Sequence, residues 1–366
     1  MEYRQTPKKM EISNFTIILT DQCNFGCTYC YQKKGRQRLD PVLMARAIRF
    51  FEPYFARELF IDFYGGEPLL AFAEIKQAVE QVKGLSKKRR IKSHFSLTTN
   101  GSLLDDDTLD FLEDHRFSIL LSFDGLAQDI SRKKGSFDFL VSVIPKILHR
   151  PRISLETNSV FTSDTIQYLS RSIELIDRLG VRKINVGFGH RQAWTGSSLL
   201  RQHKELARVR RYFRSRYKKA KDIPWTELGE RLEPAVYGCA GGRGKMALAV
   251  DGTLWGCFLF PQFFCGSRNG REAKKYCFGR VDAFIKNHSH IYPRIMENYA
   301  ALRMDNFVTP DGPCAVCDEL MDCWICPLAA ALVSRKIGLI PALICRGARA
   351  WRKEKRRLQS QFEMSK

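Results

Sequence analysis

The sequence predicts an α/β protein, a partial barrel of six β/α repeats followed by a small cysteine-rich domain. Three observations predict it. Short β-rich runs alternate with helical periodicity through the first two hundred residues, unusual polar motifs follow the strands at one end, and nine of the twelve cysteines fall between Cys239 and Cys345. Alternation of strands with helices argues for a parallel sheet covered by helices and curled as an open barrel.

The first strand is read in FTIILT, directly before the segment LTDQCNFGCTYCYQ. Asp40 and Pro41 then open a helix as N-cap and first helical residue, with Leu43, Met44, Ala47, Ile48 and Phe51 as its apolar stripe. The strand LFIDFY precedes a helix around Ile75, Val79 and Val82, and HFSLTT precedes one opened by the Asp105 to Asp107 cluster. FSILLSF leads to a helix carrying Phe139, Leu140, Val143, Ile144 and Ile147. ISLETNSVF leads to one from Ser163 to Gly180, with Ile166, Leu169, Ile173 and Ile176 inward and Gly180 as its cap; RKINVGF closes the series. From about residue 222 the pattern changes to turns, glycine and cysteine, with KDIPWTELGERLEP as connector. The expected division is 1–200 for the barrel, 201–234 for a basic helical connector, 235–350 for the cysteine-rich domain and 351–366 for a basic tail.

The run Cys23-x3-Cys27-x2-Cys30 carries the strongest chemical signal. Three thiolates on one loop hold three corners of an iron–sulfur cube and leave one iron open, where a cube normally takes four cysteines. A zinc loop is the competing reading, but zinc wants four ligands and C-x2-C pairs. Gly65-Gly66-Glu67-Pro68 follows the second strand, Thr99-Asn100-Gly101 the third, and Ser122-Phe123-Asp124-Gly125 the fourth. Ligands in such folds bind at the carboxyl ends of the strands, so the Gly-Gly pair is expected where backbone comes close to a ligand. Further on, Cys239-x12-Gly252-x4-Cys257 precedes Cys314-x2-Cys317-x5-Cys323-x2-Cys326, and Cys345 follows. These are more thiols than one zinc knuckle requires, and spacing leaves Cys265 and Cys277 either as ligands or as free thiols.

The formal net charge is +21. Residues 201–221 hold ten Lys/Arg against Glu205, and residues 346–366 hold eight against Glu354 and Glu363. Charge focused in this way attracts an acidic partner, whether nucleic acid, anionic membrane or acidic peptide. Leu206, Val209, Phe213 and Tyr217 recur at helical spacing in the first stretch, which predicts an amphipathic helix docked by its apolar side. The opening MEYRQTPKKMEISN has no signal-peptide core, and WGCFLFPQFF and KIGLIPALIC fall short of the roughly 18 apolar residues of a membrane helix. A cytoplasmic protein without a membrane span is expected. That compartment keeps thiols reduced, which favours metal binding over disulfides.

Together these motifs resemble the radical S-adenosylmethionine enzymes that carry a C-terminal SPASM domain, the group containing anaerobic sulfatase-maturating enzymes and many peptide maturases. The resemblance runs from about residue 15 to 345 and rests on C-x3-C-x2-C with Tyr29 before the last cysteine, GGEP, SFDG, C-x12-G-x4-C and C-x2-C-x5-C. It implies that Cys23, Cys27 and Cys30 ligate a [4Fe-4S] cluster whose open iron chelates S-adenosylmethionine. It further implies adenine contact by Tyr29 and Phe188, a backbone contact from Gly66 to the methionine amino group, and ribose and carboxylate contacts by Ser122 and Arg132. A guanidinium fork suits a carboxylate on physical grounds as well. By the same resemblance Cys239, Cys257 and Cys326 match ligands of a first auxiliary [4Fe-4S] cluster, and Cys314, Cys317, Cys323 and Cys345 those of a second. No cysteine lies between Cys239 and Cys257, so the first cluster either lacks a fourth ligand or recruits Cys265 or Cys277. The final pair is spaced x2 where the family has x3.

The implied chemistry is reductive cleavage of S-adenosylmethionine and hydrogen abstraction from a peptide or protein, with a crosslink or oxidised side chain as product. Sulfatase-maturating members carry an Asp after the cysteine equivalent to Cys257; this chain has Phe258, and a phenyl ring cannot take a proton. A flavodoxin or ferredoxin is the expected electron donor. The segment ahead of the first strand is too short for a fused leader-binding domain, so an acidic leader is expected to meet the basic stretches or a separate leader-binding protein. Two alternatives remain open at the level of sequence: a radical enzyme acting on RNA, favoured by the charge, and a non-enzymatic zinc-containing nucleic-acid-binding protein.

Overall fold

The computed structural model describes residues 9–189, 194–225, 234–267 and 270–363. Six parallel strands form its framework: β1 (Ile12–Thr20), β2 (Phe55–Gly65), β3 (Lys92–Thr99), β4 (Ser118–Ser122), β5 (Ser154–Phe161) and β6 (Ile184–Phe188). They lie side by side in chain order, each paired in parallel with the next. The intervening helices are α1 (Pro41–Phe51), α2 (Phe72–Arg89), α3 (Asp106–Asp114), the short α4 (Gln128–Ser131), α5 (Ser136–Leu148) and α6 (Leu169–Arg178). This is the open α/β barrel that the alternation predicts.

Local chemistry starts the helices where the sequence places them. The Asp40 carboxylate accepts from the Val42 and Leu43 amides with Pro41 at the first position, and Asp105 accepts from the Thr108 amide at 2.8 Å. Met44, Ala47, Ile48 and Phe51 of α1 are fully buried, as are Ile75, Val79 and Val82 of α2. Each of the larger of these side chains contributes about 1.5–3 kcal/mol. Phe15, Phe51 and Phe55 cluster at one side of the core, and Phe63, Phe95 and Phe117 stack along the strands.

Two helix details differ from the periodic reading. Phe139, assigned to the inward stripe of α5, is 42% exposed. Helix α6 starts at Leu169 rather than Ser163, because Ile166–Tyr168 forms a separate 3-10 turn; Ile166 is nonetheless buried.

The division into domains also changes. Strand β7 (Gly244–Leu248) pairs in parallel with β1, and β8 (Thr253–Trp255) and β9 (Cys277–Arg280) extend the same sheet antiparallel to nine strands. The cysteine-rich region thus grows from the free edge of β1. Helix α7 (Gly196–Arg216), opened by a reciprocal cap between Thr195 and Ser198, crosses the expected 200/201 boundary. Residues 226–233 of the expected connector lie outside the described residues. The region beyond is not all turns. It holds α8 (Leu259–Phe263), α9 (Arg271–Lys274), the twenty-residue α10 (Val281–Ala300), strands β10 (Val308–Thr309) and β11 (Gly312–Pro313), α11 (Pro327–Ser334) and α12 (Ala342–Glu363). Helix α12 crosses the 350/351 boundary, so the expected basic tail is helical through Glu363.

Leu206, Val209 and Phe213 bury the apolar side of α7. Its other contacts are polar: Asp177 of α6, fully buried, accepts from Tyr212 at 2.6 Å and from Tyr217, and pairs with Arg216 at 2.6 Å and Arg182 at 3.3 Å. Helix α12 packs on α7 through Arg210 and Glu354 at 3.9 Å, and Trp351 stacks on Trp225 at 4.7 Å. The two basic stretches, far apart in sequence, thereby meet along one helix pair. Asp177→Ala is expected to lower stability by about 2–4 kcal/mol, because it strands two tyrosine hydroxyls and two guanidiniums together; an unchanged urea midpoint would contradict this role.

Candidate functional site

The cysteine loop, residues 21–38, has no helix or strand of its own and is held at its base by its neighbours. The Asp21 amide donates to the Gln37 carbonyl at 3.2 Å, and the Gln37 amide returns to the Asp21 carboxylate at 2.6 Å. Thr20 Oγ1 donates to the Gln37 carbonyl at 2.8 Å. Higher up, the Thr28 amide donates to the Ser131 carbonyl at 2.9 Å, tying the loop to α4.

The Gly-Gly pair meets this loop rather than an open space. The Gly66 amide donates to the Thr20 carbonyl and the Glu67 amide to the Gln22 carbonyl, both at 2.8 Å. A Cβ on Gly65, whose φ is +150°, would stand 2.4 Å from the Thr20 carbonyl oxygen, and one on Gly66 only 2.1 Å from that of Gln22. The glycines are therefore required by the close approach of two chain segments. Because the Gly66 amide is spent on Thr20, its remaining backbone group for a ligand is the carbonyl, an acceptor suited to an amino group.

Two buried carboxylates, both missed as functional residues in the sequence, organise the surroundings. Glu67 accepts from the Asn100 amide at 2.7 Å, Thr99 Oγ1 at 2.7 Å and the Leu69 amide at 3.1 Å. Asn100 then donates to Asn24 Oδ1 at 2.8 Å inside the cysteine loop. Asp124 accepts from Tyr29 at 2.6 Å, Ser131 at 2.5 Å, the Val160 amide at 2.8 Å and Arg132 Nη2 at 2.9 Å. Burial works against the Arg132 charge, and the adjacent Asp124 carboxylate more than restores it. Burial likewise holds the Tyr29 phenol well above its usual range, with the Asp124 carboxylate reinforcing it. The signal in the sequence was an acidic residue set among glycines directly after an apolar strand, in GGEP and SFDG.

All eight residues expected at the nucleotide and its cluster line one cavity of about 570 Å³: Cys23, Cys27, Cys30, Tyr29, Gly66, Ser122, Arg132 and Phe188. Arg132 is buried and its Nε has no hydrogen-bond partner, so a carboxylate entering this cavity would satisfy an orphaned donor. Burial raises the Cys23 and Cys27 thiols, and each thiol of the trio lies within electrostatic range of another. Among the described residues no three His, Cys, Asp or Glu side chains are placed to hold a single metal ion, but an iron–sulfur cube spreads its ligands over separate corners, and three thiols lining one cavity beside the free Arg132 Nε suit such a cluster with an amino-acid ligand.

The other cysteines form two groups. Cys239, Cys257 and Cys326 lie within range of one another, with burial pushing Cys239 to about 12 and Cys257 to about 11. Cys314 neighbours Cys323, Cys345 and Cys317, and burial takes it to about 11. Cys317 accepts from Arg349 Nη2 at 3.2 Å. Cys265 and Cys277 instead line a second cavity, of about 1190 Å³. Between the cysteine loop and Cys257 stand Tyr31 and Tyr64, their hydroxyls 2.5 Å apart, and Phe258 packs on Tyr64 with centroids 4.6 Å apart. Among the described residues no helix is long and apolar enough to cross a membrane.

Burial lifts Glu67 to about 7 against the three hydrogen bonds that favour its ionised form. The folded chain therefore retains this proton above the pH at which the unfolded chain, with its ordinary carboxylate, loses it. Stability from this group is full below about pH 4, and falls by up to about 3 kcal/mol as pH rises through about 7. Urea titrations across this range should show that decline in the native chain and its absence in Glu67→Gln; parallel curves would contradict the assignment.

Residues 17–150 match the family model described as the radical SAM superfamily. Among curated relatives, the chain is 24% identical over 185 residues to the radical SAM cyclopropyl synthase TigE of Paramaledivibacter caminithermalis, covering 44% of this chain and 38% of that protein. It is 27% identical over 278 residues to a cysteine-type anaerobic sulfatase-maturating enzyme of Clostridium perfringens, covering 73% of this chain and 64% of that one. These matches span less than two thirds of the relatives' own length. Among solved structures, "Native anSMEcpe with bound AdoMet and Cp18Cys peptide" superposes with a TM-score of 0.72 at 17% identity, covering 96% of this chain and 99% of that one. The likeness of fold thus takes in the cysteine-rich region as well as the barrel. Residues 17–150 thus carry the likeness to the radical SAM superfamily, and the fold around them is that of the solved relative.

Proposed function

We propose that this chain is a radical S-adenosylmethionine enzyme that modifies a peptide or protein, forming a crosslink or an oxidised side chain. The observation that carries the reading is the single cavity in which three cysteines of one loop meet the Gly66 carbonyl edge, Arg132 and Tyr29. Cys23, Cys27 and Cys30 would hold a [4Fe-4S] cluster, and the cavity wall would hold S-adenosylmethionine. When bound, this pair supplies one-electron cleavage of the sulfonium and a 5′-deoxyadenosyl radical that takes hydrogen from an unactivated carbon.

The chain's own residues bind, orient and exclude water. Arg132, kept charged by Asp124, offers its unpaired Nε to the methionine carboxylate, and the Gly66 carbonyl accepts from the amino group. Tyr29 is fixed by its hydrogen bond to Asp124, which presents its ring rather than its hydroxyl to the cavity. Ser122, at the end of β4, serves the ribose, and Phe188 the adenine. Cys239, Cys257 and Cys326, and separately Cys314, Cys317, Cys323 and Cys345, would hold one or two auxiliary clusters.

A peptide substrate is supported by the solved relative that holds a bound peptide. Formylglycine formation is not proposed, because Phe258 packs on Tyr64 where a base is required. The paired basic helices α7 and α12 suit an acidic leader, a separate leader-binding protein serving where they do not suffice, and a flavodoxin or ferredoxin would deliver electrons.

Anaerobically reconstituted protein should cleave S-adenosylmethionine to 5′-deoxyadenosine and change the mass of a precursor peptide encoded beside its gene, the loss of two hydrogens marking a crosslink or oxidation. The triple variant Cys23→Ala, Cys27→Ala, Cys30→Ala should lose this cleavage entirely while keeping iron on the auxiliary cysteines; retained cleavage would refute the site. Asp124→Asn is expected to weaken S-adenosylmethionine binding by about tenfold or more with iron content unchanged. Reversing charge at Arg208, Arg211 and Arg214 should weaken leader binding most at low salt; equal affinity at every salt concentration would remove α7 from recognition.

A further inference from the structure

The cavity of about 1190 Å³ opens beside the cysteine loop and shares Lys33, Gln262 and Cys265 with the cavity described above. Its wall carries six cations against the carboxylates of Asp21 and Asp251. They come from four places in the fold: Lys33 from the cysteine loop, Arg271, Lys274 and Lys275 from α9 and the residue after it, Arg280 from the end of β9, and Arg294 from α10. A solvated helix face would draw its charges from one element, whereas here the tertiary structure gathers them around a hollow.

Among the described residues only Lys275 of the six has an acidic partner, Glu272 at 2.7 Å. Arg150, by contrast, is paired with Asp106 and Asp110, and Arg352 with Glu319. Uncompensated cations around a concavity focus a positive potential within it. The floor is apolar, formed by Phe278, Ile291 and Ile295. One side is β9, the outermost strand of the nine-stranded sheet, whose far edge has no strand partner among the described residues. Such an edge can pair with the main chain of an extended peptide.

Resting on the peptide-modifying function proposed above, we infer that this basic cleft binds an extended, acidic segment of the substrate peptide and delivers the adjoining residue past Gln262 and Cys265 into the radical cavity. RNA would need exposed aromatic platforms for its bases. Among the described residues, the only aromatic side chain lining the cleft is Phe278, which is buried.

The test uses full-length reconstituted protein and a fluorescein-labelled peptide of alternating glutamate and valine, followed by anisotropy. A cleft variant with Arg271→Gln, Lys274→Gln and Arg294→Gln should bind the probe about tenfold more weakly than wild type, and its peptide-independent cleavage of S-adenosylmethionine should be unchanged. Equal affinity in the cleft variant, equal binding of a glutamine-for-glutamate probe, or tighter binding of a single-stranded RNA lost in the same variant would each overturn the inference. If wild type fails to cleave S-adenosylmethionine, the radical function fails, while the anisotropy result still decides the cleft.

Discussion

A loop without secondary structure can present three thiols to one cavity only if something outside it fixes its shape, and here two buried carboxylates do so. Glu67 gathers the Asn100 amide, Thr99 and Leu69 at the ends of β2 and β3, and Asn100 then grips Asn24 within the loop. Asp124 gathers Tyr29, Ser131, Arg132 and the Val160 amide across β4 and β5. A carboxylate accepts several hydrogen bonds at once, and removing it would strand every donor aimed at it. The loop, four strand ends and the residues lining the cavity are thereby one hydrogen-bonded unit.

That unit is reached from the opposite side by the cysteine-rich region, which continues the barrel's own sheet. Pairing of β7 with β1 puts Cys257 on the far side of Tyr31 and Tyr64 from the cysteine loop. The two tyrosines and Phe258 place aromatic surface between the two groups of thiols. The same extension creates the basic cleft, since β9 and α10 exist only because the sheet runs on past β1.

Charge is distributed by the same logic. The lysines and arginines of 201–221 and 346–366 become neighbours through α7 and α12, where Glu354 is buried between Arg210 and Arg357. The cations of the cleft come from four separate segments of the sequence, with only Arg271, Lys274 and Lys275 close together. One positive surface was therefore visible as composition, and the other arises from folding alone.

The six strands, their helices and their order could be read from residues 12–188 because each rests on local chemistry: alternating apolar runs, Asp40 with Pro41, and Asp105 before Thr108. The C-x3-C-x2-C loop was equally plain, since ligand spacing is a property of a short segment. Glu67 and Asp124 were not assigned, because a carboxylate's partners lie up to 95 residues away and a strand-end acid looks like any turn residue. Gly65 and Gly66 were read toward a ligand, and besides lining the cavity they make room for the chain's own neighbouring segment. Where the cysteine-rich region joins the sheet was not legible for a related reason: whether an edge strand stays free or accepts another is decided by pairing between distant residues. The sequence by itself determined which elements form and which donors the loop offers. Tertiary structure alone decided that the thiols, Arg132, Tyr29 and the cleft share one connected space, because only long-range hydrogen bonds and strand pairing set those distances.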